Sequence, residues 1–489
     1  MFASITSVAL VGVEPRPVCV EVHIGNGGSR FIIVGLPDAS VREAKERVRA
    51  ALAASGYTFP SRTVIVNLSP ADLPKVGSAY DLPIALAVLA ATGQVKDPVT
   101  RVVALGELAL DGRVRPVIGS LGAALVASEL GVPCVLASQS PGAATVSDRV
   151  RIVAADHLTE AIAGAMGRPT GRVLATPAAR DHVGDDLALV RGQQQARRAL
   201  ELAAAGGHHL LMTGAPGGGK TMLARCLPGL LPALDDGEVL EVALAWGAAG
   251  RDTLNTDLAP FRAPHHSATL PALIGGGSGV PVPGEITLAH RGVLFLDELG
   301  EFPVALLDAL RQPVEDGRVV VARKGSSVSF PAAFQLVAAT NPCPCGYEGD
   351  WLVACRCTES GKQKYRRRLS GPLLDRFDLR VRVARLEPDE LRGPAAESSE
   401  TVRARVVAAR KRQQERGGLN RVLTRQVLDE LAWTDGAERL LARSVRNDAL
   451  TARGWDRVRR VAVTAADLDE SAVIGETHVA EALAFRGGL

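Results

Sequence analysis

The stretch from Gly214 to Thr221 carries the most specific chemical pattern in the sequence. It reads Gly-Ala-Pro-Gly-Gly-Gly-Lys-Thr and matches the phosphate-binding pattern G-x-x-x-x-G-K-[ST]. An apolar run precedes it at residues 210–212, and a helix-like segment follows at residues 222–227. The pattern requires this setting of strand, loop and helix, which argues against the alternative of a chance glycine-rich turn.

This motif predicts a nucleotide site with Mg²⁺. We expect Lys220 to reach the outer phosphates of ATP and Thr221 to offer its hydroxyl to Mg²⁺. Glycines let successive backbone N–H groups wrap the phosphates. The remaining loop residues that we assign to the nucleotide are Gly214, Ala215, Pro216, Gly217, Gly218 and Gly219.

Two acidic residues follow a second apolar run. Residues 293–296 read Val-Leu-Phe-Leu, as a buried parallel strand would, and Asp297 and Glu298 come next. This pair is similar to a Walker B element. Asp297 would help to hold Mg²⁺, and Glu298 would orient or deprotonate the attacking water. An acidic pair at a strand end is common, and the upstream phosphate loop is what favours the catalytic interpretation.

Four cysteines form two C-x-C pairs around a short loop. They are Cys343, Cys345, Cys355 and Cys357. In a reducing compartment such pairs favour a tetrahedral, structural Zn²⁺ site over a disulfide. Reduced free thiols and a redox pair remain the alternatives.

Length and charge set broad limits on the class of protein. A chain of 489 residues should form two to four domains. The net charge of +3 does not by itself identify a nucleic-acid binder, so any basic surface must be local. The N-terminus lacks a basic leader, and the apolar run at 82–91 is too short to span a bilayer. We therefore expect a cytoplasmic protein with no membrane partner.

The pattern of elements predicts four regions. Residues 1–165 alternate strand-like and helix-like stretches, as an α+β domain does. Residues 166–186 are rich in glycine, proline and charge and read as a linker. An ATPase core follows at 187–386, with the four-cysteine insertion at 343–357, and residues 387–489 read as a small helical lid.

Three N-terminal segments resemble a known family. Residues 35–43, 74–83 and 106–114 look like the N-terminal domain of the magnesium-chelatase-like AAA+ ATPases of the ComM/YifB family. That domain is similar in fold to the proteolytic, S5-like domain of Lon. Lon-type proteolysis pairs a serine with a lysine, but this chain has Gly122 where the resemblance places the lysine. Even with Ser78 as nucleophile, we expect no protease, and rather a structural, oligomer-forming or substrate-docking module.

The same resemblance implies two further catalytic residues. Asn341, after the apolar strand at 334–339, matches the sensor-1 position that reads the γ-phosphate. Arg376 lies in a Leu-Leu-Asp-Arg-Phe-Asp segment similar to the arginine finger of related ATPases, which acts on the neighbouring subunit's ATP. An ion pair with Asp375 or Asp378 is the alternative. The finger implies a homo-oligomer, and the family suggests a hexameric ring.

Other basic and polar residues are assigned by the same comparison. Arg453 resembles a sensor-2 arginine, with Arg457 as the second choice and an exposed basic helix face as the alternative. Arg323 and Lys324 lie at the tip of a predicted hairpin, where a ring would place a positive collar for DNA phosphates; a solvated basic turn is equally consistent.

Two further motifs lie within the predicted core. A Val-x-Gly-Gln turn such as that at 190–193 lies near the adenine in the family. The adjacent His265 and His266 lack a metal-binding spacing, and their segment resembles a mobile channel loop of the chelatase-like ATPases.

The combined expectation is an α/β protein: an AAA+ P-loop core with an N-terminal α+β Lon-protease-like (S5-like) domain and a C-terminal helical lid. The resemblance implies an Mg²⁺-dependent ATPase that forms a ring and moves DNA, as a branch-migration helicase in recombination of transforming DNA. Two alternatives stay open. One is the ATPase subunit of a magnesium chelatase, and the other is a regulatory or scaffold AAA+ protein that binds a protein partner.

Overall fold

The computed structural model describes most of the chain. It covers all residues except 96–98, 176–183, 252–256, 278–280, 324–325, 370, 394–395, 447–449 and 487–489.

The N-terminal region combines a mixed sheet with helices. Its strands are β1 (Phe2–Val11), β2 (Glu14–Ile24), β3 (Phe31–Val34), β4 (Val64–Ser69), β5 (Val103–Ala104), β6 (Glu107–Leu108), β7 (Val114–Arg115), β8 (Cys134–Ala137) and β9 (Ile152–Ala155). Its helices are α1 (Ala39–Arg42), α2 (Ala44–Ala54), α3 (Asp81–Thr92), α4 (Ser120–Leu130) and α5 (Leu158–Ala165).

The strand order of this sheet is β3-β4-β2-β1-β5-β8-β9. β1 and β2 form a long antiparallel pair, and β5, β8 and β9 continue the sheet in parallel. Helix α3 is apolar around its whole circumference and nearly all buried, as expected of a helix covered on every side, and it packs against β1 and β2. It ends at Gly93, whose φ of 68° gives the left-handed turn of a helix C-terminus.

The central region holds the elements on either side of the phosphate loop. Its strands are β10 (Leu210–Gly214), β11 (Phe261–Arg262), β12 (Gly275–Gly276), β13 (Val282–Pro283), β14 (Val293–Leu296), β15 (Arg318–Arg323), β16 (Ser326–Pro331), β17 (Gln335–Thr340) and β18 (Leu379–Val383). Its helices are α6 (Gln194–Gly206), α7 (Lys220–Leu230), α8 (Asp236–Ala248), α9 (Leu270–Ile274), α10 (Glu285–Leu288), α11 (Val304–Ala309), α12 (Arg311–Asp316), α13 (Glu359–Arg368), α14 (Gly371–Leu374) and α15 (Pro388–Arg392).

A parallel sheet forms the centre of this region, in the order β11-β14-β17-β10-β18. Its strands are short apolar runs, because successive side chains point into two different cores. Leu210, Met212 and Phe295 face one core with α6 and α7, whereas Leu211 and Leu294 face the other with α11. Helices therefore cover both faces of the sheet, which is consistent with an AAA+ or magnesium-chelatase-like core.

The C-terminal region is helical where it is described. It contains α16 (Ser399–Glu415), α17 (Arg425–Glu430), α18 (Asp435–Arg446), α19 (Ala452–Leu468) and α20 (Glu476–Ala484). Helix α16 packs against α6 and α7, and α19 packs against α6 and α20. The buried side chains of these helices join the same apolar core as those of α6 and β10. The C-terminal helices therefore pack against the elements that flank the phosphate loop.

The N-terminal region contacts the central region through α4 and α8. Ala243 of α8 is buried with Leu121 and Ala124 of α4. One element here was not predicted: the sequence pattern excluded a leader at the N-terminus but assigned no strand there, whereas the structure forms β1. Buried and less buried residues alternate along the first half of β1. The strand lies between β2 and β5, in the middle of the sheet.

Candidate nucleotide site and cysteine cluster

The phosphate loop joins the end of β10 to the start of α7. Gly217 and Gly219 have φ values of 77° and 89°, a backbone region that glycine adopts far more easily than other residues. A Cβ added to Gly214 would lie 2.1 Å from the carbonyl oxygen of Val383 in β18. The glycines are therefore needed both for the loop's turn and for its close approach to the neighbouring strand.

Lys220 lies buried inside the loop. Its ammonium donates hydrogen bonds to the carbonyl oxygens of Gly214 (2.7 Å) and Ala215 (2.9 Å), and to Asn341 Oδ1 (3.3 Å). Burial lowers the pKa of Lys220, while the nearby Asp297 and Glu298 act in the opposite direction. The structure thus brings Lys220 to Asn341 although 121 positions separate them in the sequence.

Thr221 and the acidic pair meet opposite this lysine. Thr221 Oγ1 donates a 2.7 Å hydrogen bond to Asp297 Oδ2, and the backbone N–H of Glu298 donates to Asp297 Oδ1 at 3.0 Å. A hydroxyl and a carboxylate oxygen are donor types that Mg²⁺ prefers, so this pair of side chains fits the ion. Glu298 has a φ of 53°, unusual for a residue other than glycine, and the acidic pair therefore sits on a sharp turn after β14.

These side chains line a cavity of about 400 Å³ at the carboxyl ends of β10, β14 and β17. Ligands of open parallel sheets bind at this edge. The residues around the cavity are Pro216, Gly217, Gly218, Gly219, Lys220, Thr221, Met222, Asp297, Glu298, Ala339, Thr340 and Asn341. The predicted phosphate-loop, Walker B and sensor-1 residues are therefore brought together at one place.

Gln193 connects this loop to the start of α6. Its side-chain amide donates to the carbonyl oxygens of Gly218 (3.3 Å) and Ala384 (2.6 Å). The turn that the family places near the adenine thus contacts the phosphate loop itself.

His266 is a site residue that the sequence analysis did not assign to catalysis. Its Nδ1 lies 3.3 Å from Glu298 Oε2, and its ring packs edge-on against Phe302. The neighbouring His265 bonds Ser267 instead, with its Nδ1 2.7 Å from the hydroxyl. The position of His266 beside Glu298 depends on the parallel pairing of β11 with β14, which sequence spacing does not reveal.

Arg376 contacts residues of α12 and does not line the described nucleotide cavity of its own chain. Its guanidinium donates to the carbonyl oxygen of Arg311 at 3.1 Å and pairs with Glu315 at 2.8 Å, and its side chain is only 12% exposed. The ion-pair alternative named Asp375 or Asp378, whereas the structure shows an ion pair of Arg376 with Glu315.

The two sensor-2 candidates have different surroundings. Arg453 is exposed at the start of α19. Arg457, one turn later, is largely buried, with its Nε 3.6 Å from Asp378 Oδ1. Neither arginine lines the described cavity around the phosphate loop.

The predicted hairpin is formed by β15 and β16. Arg323 is the last residue of β15, but its side chain and the whole of Lys324 lie outside the described residues. The DNA-binding assignment of this pair stays a prediction.

The four cysteines converge on one point. The Sγ–Sγ distances are 3.4 Å for Cys343–Cys345, 3.7 Å for Cys343–Cys355 and 3.6 Å for Cys345–Cys355, and all four sulfurs lie within 4.8 Å of one another. A disulfide needs about 2.05 Å. A tetrahedral zinc site with Zn–S bonds of about 2.3 Å separates its sulfurs by about 3.8 Å. The cluster, completed by Cys357, fits zinc.

Ser78, the serine considered as a nucleophile, lies beside an acidic residue. The Ser78 hydroxyl donates to the carboxylate of Glu107. A Cβ added to Gly122 would lie 2.9 Å from Pro15 Cβ and 3.2 Å from Leu10 Cδ2, so any side chain at this position would require its neighbours to move. Ser78 instead lines a cavity of about 640 Å³ between the N-terminal and central regions.

Three family models match successive parts of the chain. They describe the magnesium chelatase subunit ChlI (residues 186–391), the subunit ChlI of Mg-chelatase (residues 20–140) and the C-terminal part of the magnesium chelatase subunit ChlI (residues 396–486).

Two relatives match nearly the full length of this chain, and a third matches part of it. The chain is 43% identical to the protein YifB of Salmonella typhimurium over 98% of this chain and 96% of the relative. It is 41% identical to the competence protein ComM of Haemophilus influenzae over 99% of this chain and 97% of the relative. A magnesium-chelatase 38 kDa subunit of Cereibacter sphaeroides is 29% identical over 39% of this chain and 56% of the relative.

The chain therefore belongs to the magnesium-chelatase-like ComM/YifB family. Family membership supports a ComM/YifB-type ATPase that uses ATP and Mg²⁺. None of the helices in the described part of the chain is long and apolar enough to cross a membrane.

Proposed function

We propose that this protein is an Mg²⁺-dependent ATP-hydrolysing ring motor that moves DNA, as a branch-migration helicase in recombination of transforming DNA. The observation that carries the ATPase part is the convergence of Lys220, Thr221, Asp297, Glu298 and Asn341 around one cavity. The DNA part rests on the name of the ComM relative, a competence protein, which matches over almost the full length of both chains.

In the proposed reaction the phosphate loop binds and orients ATP. Lys220 exchanges its contacts with loop carbonyls and Asn341 for the outer phosphates, and Thr221 and Asp297 hold Mg²⁺. When bound there, Mg²⁺ would supply positive charge that offsets the negative charge developing on the phosphate oxygens. Asn341, at the end of β17, contacts the γ-phosphate beside Lys220.

Glu298 prepares the water that attacks the γ-phosphate. A carboxylate in this role must face the phosphate and accept the proton of the water. The carboxylate is half exposed at the edge of the cavity, and His266 lies against one of its oxygens. We propose that this contact fixes the orientation of Glu298 between turnovers.

Arg376 acts in the ATP site of a neighbouring subunit. Its planar guanidinium matches phosphate oxygens in a way that lysine does not. Within one chain it is held by Glu315 and the Arg311 carbonyl, so this role requires the arginine to exchange the carboxylate for the neighbour's phosphate. We propose a homo-oligomeric ring, a hexamer, in which Arg453 or Arg457 of the lid completes the site.

The remaining regions have supporting roles in this proposal. Residues 1–165 form a Lon-like, non-proteolytic module, residues 166–186 a linker, residues 187–386 the AAA+ core and residues 387–489 the lid. The crowding around Gly122 and the pairing of Ser78 with Glu107 support a non-proteolytic role for the first module, for which we propose docking or assembly.

We further propose a structural Zn²⁺ ion held by Cys343, Cys345, Cys355 and Cys357. The sulfur separations support this proposal, since they fit tetrahedral thiolate coordination and are too long for disulfides. Metal analysis of protein purified under reducing, chelator-free conditions tests it. Zinc in stoichiometric amount is the expected result, and metal-free protein with a native circular dichroism spectrum would contradict the site.

Steady-state ATPase assays test the DNA part of the proposal. Hydrolysis should rise on addition of single-stranded DNA or a four-way junction at fixed salt. Replacing Arg323 and Lys324 with alanine should remove the stimulation and leave the basal rate intact. Basal hydrolysis unmoved by DNA would instead favour one of the two alternatives.

The alternatives have their own discriminating results. Binding that depends on a porphyrin partner complex would favour the chelatase subunit, which the family models support by name. Capture of a protein partner that is lost on deletion of residues 1–165 would favour a scaffold.

A further inference from the structure

We propose that metal binding by the four cysteines and nucleotide binding by the phosphate loop are cooperative. The segment from Cys343 to Cys357, here called the cysteine loop, packs directly against the phosphate loop. This inference rests on the nucleotide site and the zinc site proposed above.

The first connection runs through the backbone. Asn341 follows β17, lines the nucleotide cavity and contacts Lys220. Cys343 comes two residues later and is fully buried. A metal ion that fixes Cys343 therefore also restricts the residue that would contact the γ-phosphate.

The second connection is a side contact between the two loops. Gly346 follows Cys345 and has a φ of 84°, and its N–H donates to the Cys343 carbonyl at 2.9 Å. A Cβ added to Gly346 would lie 2.6 Å from Pro216 Cδ and 3.7 Å from Asn341 Cγ. The turn from Cys343 to Gly346 thus lies against the phosphate loop with no space for a methyl group on Gly346.

The middle of the cysteine loop is attached to β18 and the residues after it. The guanidinium of Arg382 donates to the Gly349 carbonyl at 2.9 Å, and Arg385 pairs with the buried Asp350 at 3.1 Å. β18 itself pairs with β10, the strand that leads into the phosphate loop. The cysteine loop is therefore held between the phosphate loop and its neighbouring strand.

A metal-free loop would lose the constraint that keeps the Gly346 turn in place. The loop between the two C-x-C pairs contains no regular helix or strand in the structure, so its shape depends on these few contacts and on the cysteines. Ordering Pro216 and Asn341 around a nucleotide would then cost more free energy without metal. Coupling between two ligands is reciprocal, so bound nucleotide must strengthen metal retention by the same factor.

Zinc release from the full-length wild-type protein measures this coupling directly. Zinc is transferred to a chromogenic chelator with and without saturating Mg·ADP. We expect about five-fold slower release, or a correspondingly higher affinity for zinc, when the nucleotide is bound. The same measurement on Lys220→Ala, which should not bind nucleotide, controls for chelation of zinc by ADP itself.

Two glycine substitutions distinguish the specific contact of Gly346 with Pro216 from general damage to the cysteine loop. Gly346→Ala places a methyl group against Pro216 and should weaken binding of a fluorescent ADP analogue about five-fold or more while zinc content stays full. Gly349→Ala has a matching left-handed backbone, with φ of 71°, but its methyl group would meet the Arg382 guanidinium instead. This variant disturbs the attachment to β18 and leaves the contact with Pro216 in place, so it should weaken binding of the ADP analogue less than Gly346→Ala does.

The possible outcomes distinguish the metal site from its coupling to the nucleotide site. Zinc-free protein would overturn the metal site and the coupling together. Zinc-loaded protein that binds ADP but has the same affinity for zinc with and without ADP would overturn the coupling alone. Equal nucleotide affinity of wild-type, Gly346→Ala and Gly349→Ala protein would likewise overturn it.

Discussion

His266 Nδ1 lies 3.3 Å from Glu298 Oε2, across the edge of the candidate nucleotide cavity. The histidine follows β11 and the glutamate follows β14, and the parallel pairing of these strands brings the two side chains together. The carboxylate proposed to prepare the attacking water therefore has a neighbour that can fix its orientation.

Replacing this histidine should slow hydrolysis more than it weakens ATP binding. In His266→Ala the Glu298 carboxylate loses its ring contact, and misplacement by about 1 Å can lower a rate by about a hundred-fold. We expect kcat to fall by about ten-fold to a hundred-fold with KM nearly unchanged. His265→Ala is the matched control, because that ring stacks on His266 at 4.0 Å but bonds Ser267. An equal loss of kcat in both variants would remove the specific role of His266.

Mixed rings test whether Arg376 acts between subunits. Glu298→Gln should bind ATP but hydrolyse it at least about a hundred-fold more slowly, since the general base is lost. Arg376→Ala should also be inactive on its own. In mixed oligomers some interfaces combine an intact Glu298 with an intact Arg376 from the neighbour, so partial activity should return. Rings shown to be mixed that remain inactive would contradict a finger acting in trans.

We expect the free energy of unfolding to depend on pH through the protonation of His209. Burial, aided by the nearby Arg421, lowers the pKa of this histidine to about 3, against about 6.5 in an unfolded chain. The unfolded state then binds more protons, so the stabilisation is complete above about pH 6.5 and is lost as the pH falls toward 3. At pH 5 the loss is about 2 kcal/mol.

Thermal melting of His209→Asn at pH 7.5 and pH 5 checks this assignment. On acidification the melting temperature of the variant should fall less than that of wild-type protein, because the variant has no imidazole to protonate at position 209. His23→Asn, at an exposed position, should keep the wild-type response. A His209→Asn profile parallel to wild type would show that other groups carry the acid sensitivity.

Local motifs made the central part of the site predictable. The phosphate loop is a run of consecutive residues between a strand and a helix, and Asp297 and Asn341 follow apolar strands that end at the same edge of a parallel sheet. Strand ends in a parallel sheet converge, so these positions could be inferred without coordinates. The elements β3 and α3 likewise follow apolar patterns that the sequence shows directly.

Contacts between distant segments could not be inferred in this way. The pairing of Arg376 with Glu315 depends on how α12 packs beside the segment after α14. The contact of Gly346 with Pro216 depends on the fold of the cysteine loop, which lacks periodic structure. The burial of Arg457 against Asp378 depends on the C-terminal helices packing onto the central sheet. These relationships arise from tertiary packing rather than from spacing in the chain.

ATP-dependent movement of a labelled four-way DNA junction tests the central claim most directly. Wild-type protein should convert the junction into its two duplex products with ATP but not with a non-hydrolysable analogue. Lys220→Ala and Glu298→Gln should leave the junction intact. Wild-type protein that hydrolyses ATP and binds the junction, yet never moves its branch point, would contradict a DNA branch-migration motor.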